Sequence, residues 1–411
     1  MESSDRSEAN PWNLKQRLEQ CRKRSLTLCS GLEIEDMTIQ PTVDVSPLKW
    51  HLAHPTWFFE ELILLPHCLT YKRFDDGYRR LFNSYYKSLG THWAQGHRGS
   101  LSRPTVRDIG AYRTYVDEHL LSLCERNADP ALGFLLELGI QHEQQHQELI
   151  LMDLKYILSL NPCRPVYAAS DLPYPTKHQA SWIEFQEGLY EIGAASEGFS
   201  FDNERSRHKS YLYPFAIADS LVTNGEYLQF LTNGGYSQPE YWLSQGWDWV
   251  QAERIDKPLY WSQMDGKWFE YSLHGLIPLE PDFPLVHISY FEADAFSRWR
   301  SKRLPSEQEM EVYLRQTSER SNDLYFHPTD AGAPKREVWC WTKSQYSAYP
   351  RFKEFSGPLQ EYNGKFMCNQ FVLRGGCFGM PEGHYRDTYR NFYLAHQRWM
   401  FSGIRLAKDL L

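Results

Sequence analysis

Over the first 160 residues apolar side chains recur every three to four positions, the period of an amphipathic helix. Asn10-Pro11 has the chemistry of an N-cap followed by a first helical residue, and Leu14, Leu18 and Cys21 follow at helical spacing. A second helix is predicted from Ser46-Pro47 through KWHLAHPTWFFEELILL, with Pro55 expected to kink it or to end its first segment. TVRDIGAYRTYVDEHLLSLCER reads as a third. The fourth has the clearest start: Asp129 as cap, Pro130 behind it, then ALGFLLELGIQHEQQHQELILMDLKYILSL. Four such helices imply an antiparallel bundle, with room for one long crossover.

The periodicity then stops. Residues 161–181 carry Pro162, Pro165, Pro173 and Pro175 and read as a connection. Beyond them short segments are divided by Gly, Asn, Pro and aromatics, as in NGGYSQPEYWLSQGWDWV, the texture of an irregular α+β domain. The expectation is a multi-domain α+β chain: a helical bundle over 1–165, a Pro-rich linker over 166–181 and a second domain over 182–411.

Composition narrows the function. The chain has 411 residues and a net charge of −8, without the basic stripe of a nucleic-acid binder. Aromatic residues make up 15% of it, enough to line a pocket as well as fill a core. MESSDRSEANPW has neither the basic nor the apolar region of a signal peptide, and no apolar run approaches the ~20 residues that span a bilayer. Eight scattered cysteines then read as reduced thiols of a cytoplasmic protein. Neither nucleic acid nor a membrane is expected as a partner, and the oligomeric state stays open.

Candidate chemistry sits on the fourth helix. Leu135, Leu138, His142, Gln145, His146, Leu149 and Met152 form one stripe with both histidines in its middle. Two histidines at i and i+4 stack one turn apart and can share a metal ion; alternatively they are core histidines bonded to neighbouring helices. A third ligand has to come from elsewhere, and the second helix offers His51 and His54. His142-Glu143-Gln144-Gln145-His146 also matches the H-E-x-x-H pattern of zinc proteases, but Leu149 and Met152 occupy the places where a metzincin has Gly and its third His.

HLAHPTWFFE (51–60) and HEQQHQE (142–148) resemble the DinB-type bundle that binds a metal through three histidines. FDNERSRH (201–208), PFAIADSLVTNGEYLQF (214–230), PLVHISYFEADAFSRWRSKRLPSEQEME (284–311), VWCWTKSQY (338–346), EYNGKFMCNQFVLRGG (361–376) and RWMFSGIRLAKD (398–409) resemble the C-type-lectin-like fold of formylglycine-generating enzymes and sulfatase-modifying factors. The two in this order are similar to the EgtB-type sulfoxide synthases of ergothioneine biosynthesis. The resemblance implies an Fe(II) cofactor on His54, His142 and His146, with His51 structural. It implies a non-haem oxidoreductase that uses O2 to join the sulfur of a thiol to C2 of the imidazole of hercynine, giving a sulfoxide.

In that resemblance Tyr85 and Tyr86, in FNSYYKSLG (82–90), mark the branch that takes free L-cysteine, and one of the two phenols donates a proton during oxygen chemistry. Arg79 and Arg103 are candidates for the cysteine carboxylate, since guanidinium binds carboxylates bidentately. Phe392 and Tyr393, in YRNFY, hold the place of the wall that receives the trimethylammonium group, which has no proton to donate and is met by ring faces. Gln145 is placed to bond the substrate imidazole, and Asn391 is a further pocket candidate. Two positions depart from the family pattern: Tyr393 stands where relatives often carry Phe, and Cys377 where Ser follows RGG. Cys340, Cys368 and Cys377 do not reproduce the active-site cysteines of formylglycine-generating enzymes. Alternatives on the same fold are an ovothiol- or selenoneine-type synthase, or a zinc DinB-type thiol transferase, and a structural Ca²⁺ in the second domain is left open.

Overall fold

The computed structural model describes residues 11–126, 129–178, 180–317 and 325–410. The chain divides into two compact units, Met1–Leu158 and Ser159–Leu411.

Four long helices build the first unit: α1 (Pro11–Cys29), α2 (Leu48–Phe59), α3 (Val106–Arg126) and α4 (Pro130–Ser159). Asn10, expected to cap α1, lies outside the described residues. The Asp129 cap of α4 forms, its Oδ1 accepting the N–H of Ala131 at 2.9 Å. α2 packs mainly on α3, with α1 against both. Buried Leu18, Trp57, Phe58, Tyr112, Leu120 and Leu151 fill the core between them.

Pro55 does not end α2, against one of the two outcomes expected above. The helix runs through it and opens five residues later into a π-helical turn, Glu60–Leu64. Proline removes a helical N–H, and here neighbouring donors reinforce the adjacent backbone: the Thr56 hydroxyl and Arg113 Nη1 both donate to the carbonyl of Leu52, at 2.8 and 2.9 Å. α4 comes close to this helix at Gly139, where an added Cβ would lie 2.3 Å from the Phe59 ring.

The second unit mixes helix and sheet. Its four-stranded sheet runs Asn391–Leu394, Gln370–Arg374, Trp339–Gln345, Ser402–Gly403, with antiparallel pairing except for a parallel last pair. Two three-stranded sheets and a two-stranded ribbon complete it. Helices Asn224–Thr232, Tyr290–Trp299 and Glu307–Gln316 each begin with a capping box, Thr223 with Glu226, Ser289 with Glu292 and Ser306 with Glu309. The Pro-rich connection carries no helix or strand among its described residues, and Tyr167 and Ala168 both donate their N–H to the carbonyl of Leu273. No described helix is long and apolar enough to cross a membrane.

Candidate metal centre

α2 carries His54 and α4 carries His142 and His146, one turn apart, into the interior of the first unit. One ring nitrogen from each lies within 4.8 Å of the other two, and all three residues are buried. The rings meet with centroids 4.8–5.0 Å apart.

Hydrogen bonds decide which nitrogens face inward. His54 Nδ1 lies 2.6 Å from the carbonyl oxygen of Phe82, which only accepts, so Nδ1 holds the proton and Nε2 keeps its lone pair. Trp50 and Trp57 stack on the same ring, 4.6 and 5.6 Å between centroids. His146 Nδ1 is likewise engaged, 2.9 Å from His51 Nδ1. Burial pushes His142 down to about 3, against the pull of Glu143. Burial, reinforced by the neighbouring histidines, also holds His54 and His146 well below the ordinary histidine range. Three neutral imidazoles, each with one ring nitrogen in the cluster, fit a divalent first-row metal.

Glu143, between the two α4 histidines, has a different task from the base of a zinc protease. Its carboxylate accepts from Arg22 Nη1 at 2.8 Å, Arg113 Nη2 at 2.9 Å and Ser25 Oγ at 2.6 Å. Burial opposes its ionisation, but Arg22 and Arg113 outweigh that and hold the carboxyl at about 2. A base so fully engaged is a clamp between α1, α3 and α4, which removes the H-E-x-x-H reading.

The segment after Phe82 is tied to the same centre. Asn83 closes a local turn, its Oδ1 accepting the N–H of Tyr86 and its Nδ2 donating to the Tyr86 carbonyl, both at 2.9 Å. Tyr86 is buried, with its ring 5.6 Å from that of Trp57, and half-buried Tyr85 stacks on it at 4.6 Å. Arg98, which the sequence reading passed over, is buried beside them. It lies 3.4 Å above the Trp50 ring and donates to Ser46 Oγ and Ser84 Oγ, each at 2.9 Å. Burial pushes its guanidinium down to about 9, with Asp153 acting the other way, which leaves it a cation at pH 7. Nothing in the sequence around Arg98 (GHRGS) separates it from a solvated loop arginine. Arg79 and Arg103 are exposed; Arg79 Nε lies 3.8 Å from Glu61, and Arg103 donates to the carbonyl of Ser102.

Known proteins share this make-up. Residues 17–150 match the DinB superfamily, and residues 170–334 match the sulfatase-modifying factor enzyme 1-like domain. The hercynine oxygenase of Mycolicibacterium smegmatis is 28% identical, over 95% of this chain and 97% of that protein. That of Mycobacterium tuberculosis is also 28% identical, over 98% and 100%. Ergothioneine biosynthesis protein 1 of Schizosaccharomyces pombe is 25% identical over 51% of this chain and 28% of its own length. The chain is of the EgtB type.

An EgtB-type chain pairs its helical unit with a second unit of the sulfatase-modifying type, and here that unit carries the expected pocket aromatics on its edge strand Asn391–Leu394. Consecutive residues of a strand face opposite sides. Phe392 accordingly stacks on Tyr346 with centroids 4.0 Å apart, whereas Tyr393 meets Trp399 edge-on at 5.5 Å. Asn391 Oδ1 accepts the N–H of Phe392 at 2.9 Å. Gln145 is half-buried on α4 between buried Gln144 and His146.

Proposed function

We propose that this chain is an Fe(II)- and O2-dependent sulfoxide synthase that joins the sulfur of L-cysteine to the imidazole C2 of hercynine, giving hercynylcysteine sulfoxide. The observation that carries this reading is the buried trio of neutral histidines in a chain alignable along nearly its whole length with hercynine oxygenases. The reaction balances: one thiol hydrogen and one ring hydrogen leave, one oxygen atom becomes the sulfoxide and the other departs as water.

His54, His142 and His146 hold the metal. When bound, Fe(II) supplies the coordination sites and electrons through which O2 is activated. Arg98 receives the cysteine carboxylate, and we assign it this role over exposed Arg79 and Arg103 because a buried cation meets a carboxylate without competition from water. Tyr86 holds a phenolic proton for oxygen reduction, and Tyr85 stacks on it. A neutral phenol keeps that proton at pH 7. Phe392, with Tyr346 stacked on it, is assigned the trimethylammonium cation, and Tyr393 and Asn391, whose side chains alternate to the other face of the strand, are left out of that contact. Gln145 bonds the substrate imidazole.

The test is the protein purified without oxygen, loaded with Fe(II) and given hercynine, cysteine and O2, with products read by mass spectrometry. Hercynylcysteine sulfoxide is expected. A stoichiometric zinc content with no coupling after Fe(II) loading would replace this reading with a zinc thiol transferase. Coupling at another ring carbon, or to a selenol in preference to cysteine, would replace the substrates.

A further inference from the structure

His51 stands one turn before His54 on α2, and Asp153 stands two turns after His146 on α4. Both side chains are buried, 3% and 2% exposed, and they join the two ligand-bearing helices. Asp153 Oδ2 accepts the backbone N–H of Ser46 at 2.8 Å and lies 2.8 Å from His51 Nε2. His51 Nδ1 in turn lies 2.9 Å from His146 Nδ1.

The directions of these bonds follow one from another. An oxygen that already accepts an amide proton also accepts from His51, so His51 Nε2 is the donor. A neutral imidazole has a single N–H, so His51 Nδ1 accepts. His146 Nδ1 must then donate, which leaves the lone pair of His146 on Nε2, the nitrogen left for the histidine cluster. The other proton arrangement, a doubly protonated His51, would make His146 accept at Nδ1 and put a proton on the nitrogen needed for coordination. Ser46 also ties the relay to Arg98, whose Nη1 donates to its hydroxyl.

We propose that Asp153 and His51 are positioning residues that select the coordinating nitrogen of His146 and raise its donor strength by drawing on its Nδ1–H. This role rests on the iron reading above. It turns His51 from a packing residue into part of the metal centre, with no contact to the metal itself. Partners of this kind, when lost, typically weaken metal binding about 10- to 100-fold.

Two measurements test it. In metal-free protein carrying ¹⁵N-labelled histidine, long-range proton–nitrogen spectra should show the proton of His51 on Nε2 and that of His146 on Nδ1. The reverse assignment for either ring overturns the relay. Fe(II) affinity is then read by anaerobic competition with a chelator, with circular dichroism as the check on folding. His51→Leu, which can neither donate nor accept, should bind Fe(II) about 10- to 100-fold more weakly. His51→Gln, whose amide can accept from His146 and donate to Asp153, should recover most of that loss. Wild-type affinity in His51→Leu, or an equal loss in a folded His51→Gln, overturns the proposal. If His51→Leu does not fold, the tautomer spectra and His51→Gln decide. Wild-type protein that binds no Fe(II) overturns the iron reading, and the tautomer spectra then judge the hydrogen-bond chain by itself.

Discussion

Among the described residues Arg98 is ion-paired with no carboxylate, although its side chain is buried and its Nε meets no acceptor. Burying a cation is costly unless something compensates it. Stacking on Trp50, two serine hydroxyls and the charge of Asp153 supply part of that compensation, and in the proposed function a substrate carboxylate supplies the rest. Hydrogen bonds to charged groups contribute about 1.5–3 kcal/mol, so Arg98→Met should lower kcat/KM for cysteine by about 10- to 100-fold. The KM for hercynine and the iron content should hold. Steady-state kinetics with each substrate varied in turn check this, and an equal loss for both would remove Arg98 from the cysteine site. In the proposed function Tyr86 acts on outcome rather than on binding. Without its hydroxyl the packing against Trp57 and Phe58 is kept, but the proton that steers oxygen toward coupling is gone. Tyr86→Phe, and Tyr85→Phe less strongly, should shift product from hercynylcysteine sulfoxide toward cysteine sulfinic acid at unchanged iron content. Product ratios at saturating substrates measure the shift, and an unchanged ratio in both variants would return the pair to a packing role.

At the level of elements, the precision of the metal centre comes from how closely α4 approaches α2. Gly139 lies one turn before His142, and a methyl group there would overlap the Phe59 ring. Gly139→Ala should cost about 1–3 kcal/mol through overpacking and weaken metal binding by moving α4 away from His54, as read by chemical denaturation and metal titration. Unchanged values for both would mean that the ring moves aside freely. In the second unit Glu337 is 5% exposed and accepts the N–H groups of Thr329 and Asp330. Burial pushes its carboxyl up to about 7, against those two bonds, from an ordinary 4.5. Its folded form therefore favours the proton, so stability from this group is complete below pH 4.5 and is lost as pH rises to 7. The loss is at most about 3 kcal/mol. Glu337→Gln, which keeps an acceptor and cannot ionise, should melt higher than wild type at pH 8 and level with it near pH 4.5. A melting difference that does not vary with pH would contradict this. The α2 expectation shows where local rules stop: Pro55 reads as a breaker because its lost N–H is visible in sequence, whereas the Arg113 donor that supports the helix comes from sixty residues away.

Across the whole molecule, legibility followed the range of the interaction. The i, i+4 histidines and the Asp129-Pro130 start of α4 depend on neighbours in sequence and could be read directly. Arg98 could not, because its burial depends on Trp50, Ser46 and Ser84 assembling around it. The face of Phe392 opposite to that of Tyr393 needed the strand and its register, which the short mixed segments of the second unit conceal. His51 and Asp153 lay within reach, since both share a helical face with a ligand. The division into two units also sets what a metal can do to the protein. Every proposed ligand belongs to the helical unit, with the Phe82–Tyr86 segment hydrogen-bonded to one of them. A ligand that binds only the folded state stabilises it by RT ln(1 + [L]/Kd), about 2.7 kcal/mol at a hundredfold excess over Kd. That stabilisation should fall on the segments that must open for the histidines to separate. Hydrogen exchange followed by mass spectrometry, with and without anaerobic Fe(II), should therefore slow in α2, in α4 and across 82–86. It should stay unchanged in the strands Trp339–Gln345 and Gln370–Arg374. His142→Ala should abolish the effect. Slowing spread evenly over both units, or retained in His142→Ala, would mean that the metal is held somewhere other than by these three histidines.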